Sequence, residues 1–391
     1  MDPLIDEGAL DDLLLRLIAT PSLSTEEGAC AAVVAAELRR IGMDVDVDTM
    51  GNVVGRLVLG PGPTVMIDCH LDTVPVVDAT EWTRAPHGEI HDDRVYGRGA
   101  VDMKGPMAAV LHAIEAIRET SCGTVVFAGT VAEELVEGPA AIEVANAVSP
   151  DFVVICEPSQ RRIARGQRGR AEIVVDVRGV SSHSAYPGEG INAAEVMADV
   201  VTELRQLEPP RDATLGDGIL VLIDMKSEPY PSLSTVPERC RATFDRRTLV
   251  DESEAEVLGP IEDIVIKVTD AWGATGTVRV AGHRHTTYTG QDVTTTKFAP
   301  AWLFEHDDAV VALAVEGLMD AGLDATVTHY RFCTNGSGTA GHLGIPTIGY
   351  GPGHEDQAHK VDEFIDLSDL HLGARGYAAI LTALLSYRGP R

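Results

Sequence analysis

Histidines and carboxylates stand directly after apolar runs, or at glycine-rich turns, in five segments of this sequence. They are His70 and Asp72 in VMIDCHLDTVP, Asp102 in YGRGAVDMKG, Glu133 and Glu134 in VFAGTVAEEL, Glu157 in VVICEPS, and His359 in GPGHEDQAHKVDE. Such side chains are common ligands of divalent metal ions. Because ligands gather at the carboxyl ends of strands in open α/β sheets, residues far apart in the sequence can meet there. The pattern predicts a site for two metal ions.

Each residue type suits a separate task at such a site. Residues two apart on an extended segment face the same way, so Asp72 can accept the imidazole proton of His70 on the nitrogen that does not bind metal. The two oxygens of Asp102 can bridge two ions. One of the adjacent Glu133 and Glu134 can bind metal, while the other takes a proton from an activated water and passes it to a leaving nitrogen. This chemistry is the hydrolysis of an amide bond.

The remaining two candidates, Glu157 and His359, would complete the coordination of one ion each. Mixed nitrogen and oxygen coordination suits zinc, and cobalt or manganese would also fit. A single histidine or aspartate at a strand end is more often structural than a ligand, so the prediction depends on the joint occurrence of these residues. Cys69 and Cys156 each precede a candidate ligand by one residue on a strand, and they should therefore face the core.

The elements that position these residues alternate between helices and strands, which is typical of a layered α/β domain. Ser24 and Glu27 have the spacing of a capping box, which predicts a helix over residues 25–41 that ends at Gly42. Apolar runs predict strands at 44–48, 53–57, 65–69, 125–131, 152–156 and 346–349, and a further helix is predicted at 308–321.

The middle of the chain has a different pattern of elements. Strands are predicted at 171–178, 219–225, 239–246 and 276–281, and helices at 193–207 and 254–269. This βαββαβ order is typical of a ferredoxin-like domain. The simplest interpretation is a small domain of residues 168–285 inserted into a larger mixed-sheet α/β domain of residues 1–167 and 286–391.

The net charge of -29 argues against binding to nucleic acid or to anionic membranes. The acidity is interpreted as an aid to solubility, although adaptation to high salt would give the same surface. The sequence contains no stretch of about 18 or more apolar residues and no basic signal segment at its start, so a cytoplasmic location is expected. Six singly spaced cysteines are expected to be reduced and mostly buried.

Several segments resemble those of a known enzyme family, in the same order and over almost the whole chain. They are HLDTVP, YGRGAVDMKG, AEEL, CEPS, and GYGPG followed by AHKVDE. They are similar to the acetylornithine deacetylase / succinyl-diaminopimelate desuccinylase family of di-zinc deacylases and peptidases, and RGQRGR, FDRRTL and FCTNG resemble a branch associated with selenium metabolism. The resemblance implies a zinc-peptidase-like catalytic domain and an inserted lid domain through which the chain forms a homodimer.

The resemblance also implies a role for each candidate residue. It gives one ion to His70 and Glu157 and the other to Glu134 and His359, with Asp102 as the bridge, Asp72 orienting His70, and Glu133 as the general base. In SSHSAYP, His183 would donate to the developing oxyanion, and in dimeric members this histidine reaches the active site of the partner subunit. Arg247 falls where the family often holds a substrate carboxylate, and AHKVDE, not the preceding His354, matches the last ligand motif.

Two segments depart from the family pattern. DMKGP stands where DMKGG is usual, which should affect only the start of the following helix. Thr235-Val236-Pro237 replaces a segment that often reads Asn-Val-Ile-Pro, so substrate contacts of that segment are not carried over.

The sequence as a whole predicts a metal-dependent hydrolase that cleaves the amide bond of an N-acyl amino acid or a small peptide. Hydrolysis of a carbamoyl or ureido group is an alternative, because the metal chemistry would be the same. A non-catalytic protein of the same fold, which binds a small molecule or a metal, is a second alternative. Such a protein is expected to have lost a ligand or the base, and both are present.

Overall fold

The chain forms two compact units. The computed structural model describes residues 5–119 and 121–389. The first unit comprises the described residues up to Gln167, Arg284–Val293, and the described residues from Trp302 onward. The second unit comprises Arg168–His283 and Thr294–Ala301. The chain between residues 284 and 301 is thus divided between the two units, whereas the sequence suggested a single boundary after residue 285.

Within the described residues there are eight helices and twenty-three strands. The helices α1 to α8 are Glu7–Ile18, Gly28–Ile41, Lys104–Ile117, Pro139–Val148, Ala193–Leu204, Glu254–Trp272, Ala309–Asp320 and Leu367–Leu385. The strands β1 to β12 are Asp44–Val47, Val53–Val58, Thr64–His70, Glu89–His91, Arg94–Tyr96, Thr124–Thr130, Phe152–Ile155, Ile163–Gln167, Gly169–Arg178, Ser182–His183, Arg211–Asp212 and Gly216–Asp217. The strands β13 to β23 are Ile219–Glu228, Thr235–Val236, Arg239–Thr248, Thr275–Val280, Gly282–Thr286, Asp292–Thr296, Phe298–Ala299, Trp302–Leu303, Val327–Tyr330, Thr347–Gly349 and Phe364–Asp366. None of the described helices combines the length and the apolar character that crossing a membrane requires.

The first unit is built on one mixed sheet. Its strand order is β1-β2-β6-β3-β7-β22-β8-β20, with β21 beside β8. The central pairs β6·β3, β3·β7 and β7·β22 are parallel, whereas β1, β2 and β20 join their neighbours in antiparallel pairs. This arrangement confirms the predicted α/β class with a mixed sheet.

Helices cover both faces of the central strands. Along β3, Ile67 and Cys69 pack into the cluster that contains α1, α3 and α8, whereas Met66 packs against α4 on the opposite face. Each apolar side chain of this size that is fully buried stabilises the fold by about 1.5–3 kcal/mol. Cys69 and Cys156 are both fully buried in the first cluster, which confirms that they face the core.

The second unit has the element order β9-α5-β13-β15-α6-β16. Its sheet has the order β13-β15-β9-β16, with antiparallel pairs throughout and with β19 beside β9. The helices α5 and α6 pack on one face of this sheet through the second large hydrophobic cluster. This is the βαββαβ arrangement that the sequence pattern predicts.

The start of α2 differs from the prediction. The helix begins at Gly28, Glu27 forms no side-chain cap, and Thr25 has a φ of +72°. The capping-box interpretation of Ser24 and Glu27 is therefore wrong, because both side chains bond to groups outside the helix. The helix that follows the DMKGP segment, α3, begins at Lys104, so the proline lies in its first turn.

Two glycines of α8 allow this helix to lie against the GYGPG loop that leads to His359. A Cβ atom at Gly376 would overlap the hydroxyl group of Tyr350, and one at Gly373 would lie 2.6 Å from Pro352 Cγ. The loop and the helix are also joined by the Tyr377 hydroxyl, which donates to the Tyr350 carbonyl at 2.6 Å. Glycine at these two positions therefore sets the distance between α8 and the loop.

We predict that Gly376→Ala lowers the free energy of unfolding by about 1–3 kcal/mol, because the added methyl group meets a fully buried ring. Thermal and urea denaturation would measure the change. Gly8→Ala in α1 is the matched control, since among the described residues the close neighbour of its added Cβ would be Asp6 Oδ1 at 3.7 Å. Equal stabilities of the two variants would show that the contact with Tyr350 does not require glycine.

Candidate metal centre

Three neighbouring strands of the large sheet end at the same edge and lead into the predicted residues. β3 ends at His70, which lies opposite Thr130, the last residue of β6. Glu133 and Glu134 come shortly after β6, and Glu157 comes shortly after β7, the other neighbour of β3. Because the three strands are parallel, their carboxyl ends meet and bring these four side chains to one place.

Asp102 and His359 reach the same place from loops. Asp102 lies just before α3, and His359 lies in the loop after β22. Asp102 Oδ1 is 2.9 Å from His70 Nε2, and Asp102 Oδ2 is 3.1 Å from His359 Nε2. Asp102 therefore lies between the two imidazoles and presents one oxygen to each.

Each imidazole also has a carboxylate of its own. Glu157 Oε1 is 3.4 Å from His70 Nε2, and Glu134 Oε1 is 3.1 Å from His359 Nε2. These contacts group the five residues as two sets that share Asp102, the same sets that the resemblance implies. The assignment of each set to one ion stays a prediction.

Glu133 is the carboxylate that remains outside these two sets. Its side chain lies close to two of their members, with ligand atoms of Glu133, His70 and Glu157 all within 4.8 Å of one another. Burial raises the pKa of Glu133 well above 4.5, against the effect of His70 and with a contribution from Glu157. A carboxyl group with a raised pKa can take up and release a proton near neutral pH.

The surrounding carboxylates favour the protonated form of both imidazoles. Hydrogen bonds to Asp102 and Glu134 raise the pKa of His359 to about 10. Burial alone would lower the pKa of His70, but Glu157 and Asp102 outweigh it and raise that pKa well above 6.5. A divalent cation bound at the same place would displace these protons, because metals bind the neutral imidazole.

The pKa values of the carboxyl groups are also shifted by burial and by their charged neighbours. Burial raises the pKa of Glu157 to about 7, with Asp102 adding to the effect, and burial also raises the pKa of Glu134. Burial would raise the pKa of Asp102 as well, but hydrogen bonds from His359 and His70 lower it. Carboxyl groups outnumber imidazoles in this cluster, so its charge favours the binding of cations.

The cluster fits divalent metal ions. Two imidazole nitrogens and three carboxyl groups form a mixed nitrogen and oxygen donor set, which suits zinc and also cobalt or manganese. Bound cations would relieve the repulsion among the buried carboxylates. The donor atoms present therefore match those that divalent cations prefer.

Asp72 differs in one respect from the expected arrangement. His70 Nδ1 lies 2.9 Å from the backbone carbonyl oxygen of Asp72, whereas the carboxylate oxygen Oδ1 is 3.5 Å away. The carboxylate instead accepts the backbone N–H groups of Glu133 and Glu134 at 3.1 Å each, and the Ser24 hydroxyl at 2.7 Å. Asp72 thus connects the first histidine with the turn that carries the two glutamates.

Glu363 is a buried residue of this centre that the sequence patterns do not single out. Its Oε1 accepts the N–H groups of Val101 and Asp102 at 2.9 and 3.1 Å, and its Oε2 accepts from Arg98 at 2.6 Å. These bonds fix the backbone that carries Asp102. Glu363 stands in the AHKVDE segment, but its direction toward Asp102 depends on long-range folding that the motif does not encode.

The last two predicted residues lie in the second unit. His183, in β10, is exposed, and its Nδ1 accepts the N–H of Ala185 at 3.0 Å. Arg247, in β15, donates from Nε to Asp245 Oδ1 at 2.8 Å and so has a carboxylate partner on its own strand. The structure places both outside the unit that holds the metal ligands, and their roles stay predictions. His354 and His359 are both exposed, and among the described residues it is His359 that contacts Asp102 and Glu134.

Comparison with known proteins identifies relatives along nearly the whole chain. Protein YgeY of Escherichia coli K12, named as uncharacterized, is 34% identical over 380 residues, which cover 94% of this chain and 92% of that protein. Acetylornithine deacetylase of Erwinia tasmaniensis is 26% identical over 383 residues, with coverage of 91% and 92%.

Solved structures with the same fold include a tripeptidase from Staphylococcus aureus, with a TM-score of 0.79, 20% identity, and coverage of 98% of this chain and 100% of that chain. They also include the Bacillus subtilis YXEP protein, described as a dinuclear metal binding peptidase from the M20 family, with a TM-score of 0.73, 14% identity, and coverage of 97% and 98%. At these identities the likeness demonstrates a common fold.

The match to a protein family is the most direct of these results. Peptidase family M20/M25/M40 matches residues 66–383, a range that includes His70, Asp102, the two glutamates after β6, Glu157 and His359. The chain therefore belongs to peptidase family M20/M25/M40, and it is a metal-dependent hydrolase that acts on amide bonds.

Proposed function

We propose that this protein uses two divalent metal ions, in the first place zinc, to hydrolyse the amide bond of an N-acyl amino acid or a small peptide. The observation that supports the proposal best is the position of Glu133. It is a buried carboxylate beside two of the five proposed ligands, and it is not needed to complete either ligand set. A site that only stored metal would have no use for it.

The proposed ligands are His70 and Glu157 for one ion, Glu134 and His359 for the other, and Asp102 for both. Divalent ions bound there supply Lewis acidity, which activates water and polarises the carbonyl group of the substrate. Glu363 holds the backbone of Asp102, and Asp72 holds the backbone of Glu134 and the ring of His70. These three ligands are therefore preorganised by the fold.

Glu133 is the proposed general base and acid. Its carboxylate accepts a proton from the attacking water and then donates that proton to the nitrogen of the leaving amine. Because burial and the neighbouring Glu157 raise its pKa, Glu133 can hold the proton between these two steps. His183, as a donor to the oxyanion, and Arg247, as a partner of a substrate carboxylate, are proposed from the family resemblance.

The proposed substrates follow from the names of the relatives. One relative is a deacetylase of an N-acetyl amino acid, and one structural neighbour is a tripeptidase. Both cut a C–N bond of an acylated amino acid, which is the bond that the proposed centre would cleave. The cytoplasmic location inferred from the sequence stays a prediction.

We also propose that the protein is a homodimer, as the family resemblance implies. The observation that supports it is β13, a ten-residue strand at the edge of the sheet of the second unit. Its Ile219, Val221 and Ile223 are 39%, 47% and 55% exposed. A long apolar edge of this kind is suited to antiparallel pairing with the same strand of a second copy.

Metal binding is tested by stoichiometry. The purified protein, equilibrated with zinc, should hold about two ions per chain, His359→Ala about one, and Asp102→Ala fewer than His359→Ala, because both ligand sets share Asp102. Elemental analysis after gel filtration would measure these contents. His354→Ala, in the same loop, is the matched control and should retain two; retention of two ions by His359→Ala would refute the assignment.

The catalytic role is tested by Glu133→Gln. The variant should bind the same amount of zinc and lower kcat by about 10²–10⁴-fold, because the amide cannot accept the proton. The assay would use N-acetyl, N-succinyl and N-carbamoyl amino acids and dipeptides, with zinc, cobalt or manganese. Glu143→Gln, on the exposed side of α4, should behave like the wild type. Full turnover by Glu133→Gln would remove Glu133 from this role, and cleavage of carbamoyl substrates alone would change the proposed substrate class.

The dimer is tested by placing charge on β13. The double variant Val221→Lys/Ile223→Lys should be monomeric by light scattering at concentrations at which the wild type is dimeric, because charged edge strands resist pairing. Met319→Lys, which replaces a side chain of α7 that is 66% exposed, is the control and should leave the mass unchanged. A wild-type monomer, or a double variant that remains dimeric, would contradict the proposal.

A further inference from the structure

The turn that carries Glu133 and Glu134 is held by side chains from distant parts of the first unit. The N–H of Val131 donates to Asn52 Oδ1 at 3.1 Å, and the N–H of Ala132 donates to Glu27 Oε1 at 3.0 Å. The next two N–H groups donate to the carboxylate of Asp72, as described above. Four successive N–H groups, three of them in buried bonds, are thus satisfied by side-chain oxygens and not by regular secondary structure.

Ala132 has an unusual backbone conformation within this turn. Its φ is +56°, in the left-handed region that residues other than glycine rarely adopt. The surrounding structure must therefore hold Ala132 in place. The N–H of Ala132 donates to Glu27, and its carbonyl accepts the N–H groups of Leu135 and Val136 at 3.3 and 3.2 Å. Among these contacts, the one with Glu27 is made by a side chain, and the residue that follows Ala132 is Glu133.

Glu27 is suited to this task by its environment. Its side chain is fully buried, and Oε1 accepts the N–H of Thr25 at 2.9 Å as well as that of Ala132. Its Oε2 has no hydrogen-bond partner among the described residues. Burying a carboxyl group with one unbonded oxygen costs free energy. We therefore expect this carboxyl group to stabilise another part of the structure.

The same segment makes a second contact with the centre. The Ser24 hydroxyl donates to Asp72, the carboxylate that binds the two glutamate N–H groups. Ser24 and Glu27 have the spacing of a capping box, yet α2 has no side-chain cap. Glu27 bonds to the turn after β6, and Ser24 bonds to Asp72, which holds the same turn; neither side chain caps the helix that they precede.

We infer that Glu27 is a positioning residue of the hydrolytic reaction. Its carboxylate keeps Ala132 in the left-handed conformation, and this conformation directs Glu133 to the reacting water and Glu134 to its metal ion. The inference rests on the proposed function, which gives Glu133 and Glu134 those tasks. It assigns a role in the chemistry to a residue that lies outside both ligand sets.

The test compares two substitutions at Glu27 in the full-length, zinc-loaded protein. Glu27→Ala removes the acceptor for Ala132 and should lower kcat about 10–100-fold with KM within about threefold. Glu27→Ala should also weaken binding of the zinc ion assigned to Glu134 and His359 by about 10–100-fold, measured by titration against a chelating dye. Glu27→Gln keeps an oxygen acceptor, so kcat and both zinc affinities should stay within about threefold of the wild type.

Glu37→Ala separates positioning from general stability. Glu37 is also buried on α2, but it pairs with Arg16 and Arg40 away from the metal centre. The Glu37→Ala variant should have a lower Tm than the wild type, with kcat and zinc affinity unchanged.

The inference is overturned if Glu27→Ala keeps wild-type kcat and zinc affinity, if Glu37→Ala loses them equally, or if Glu27→Gln is as impaired as Glu27→Ala. The zinc titration is decisive even if none of the proposed substrates is cleaved.

Discussion

The structure of the first unit depends on one electrostatic constraint: several carboxylates are buried together at one edge of a sheet. Asp102 contributes an oxygen to each of two imidazoles, and these imidazoles are the cationic partners that the cluster has within hydrogen-bond distance. Like charges at such distances in a buried place are costly unless protons or cations neutralise them. The fold therefore provides rigid support for an arrangement that bound cations would stabilise.

This support comes in layers. The parallel strands β3, β6 and β7 fix where His70, the paired glutamates and Glu157 begin, and buried carboxylates then fix the loops between them. Glu363 holds the backbone of Asp102, and Asp72 holds the backbone of both glutamates. Backbone N–H groups thus donate to buried carboxylates, and such charge-assisted hydrogen bonds hold loops in place where water is excluded.

Much of this could be predicted from the sequence, because apolar runs and strand ends are local features. The runs at 65–69, 125–131 and 152–156 lie within a residue or two of β3, β6 and β7, and the convergence of their ends follows from parallel pairing. The contacts of Ser24 with Asp72 and of Glu27 with Ala132 could not be predicted. A capping box and two long-range contacts are compatible with the same four-residue pattern. Glu363 was missed for the same reason, since the direction of a side chain is set by tertiary packing.

The insertion of the second unit has a consequence for synthesis of the chain on the ribosome. Of the proposed ligands, all but His359 precede residue 168, while strands β20 to β22 of the large sheet are made only after the insert. The second unit lies almost entirely within one continuous segment, so we expect it to fold while the first unit still lacks its last strands. During that interval the half-built sheet exposes apolar edges to the cell, and this is the stage at which chaperones would be needed most.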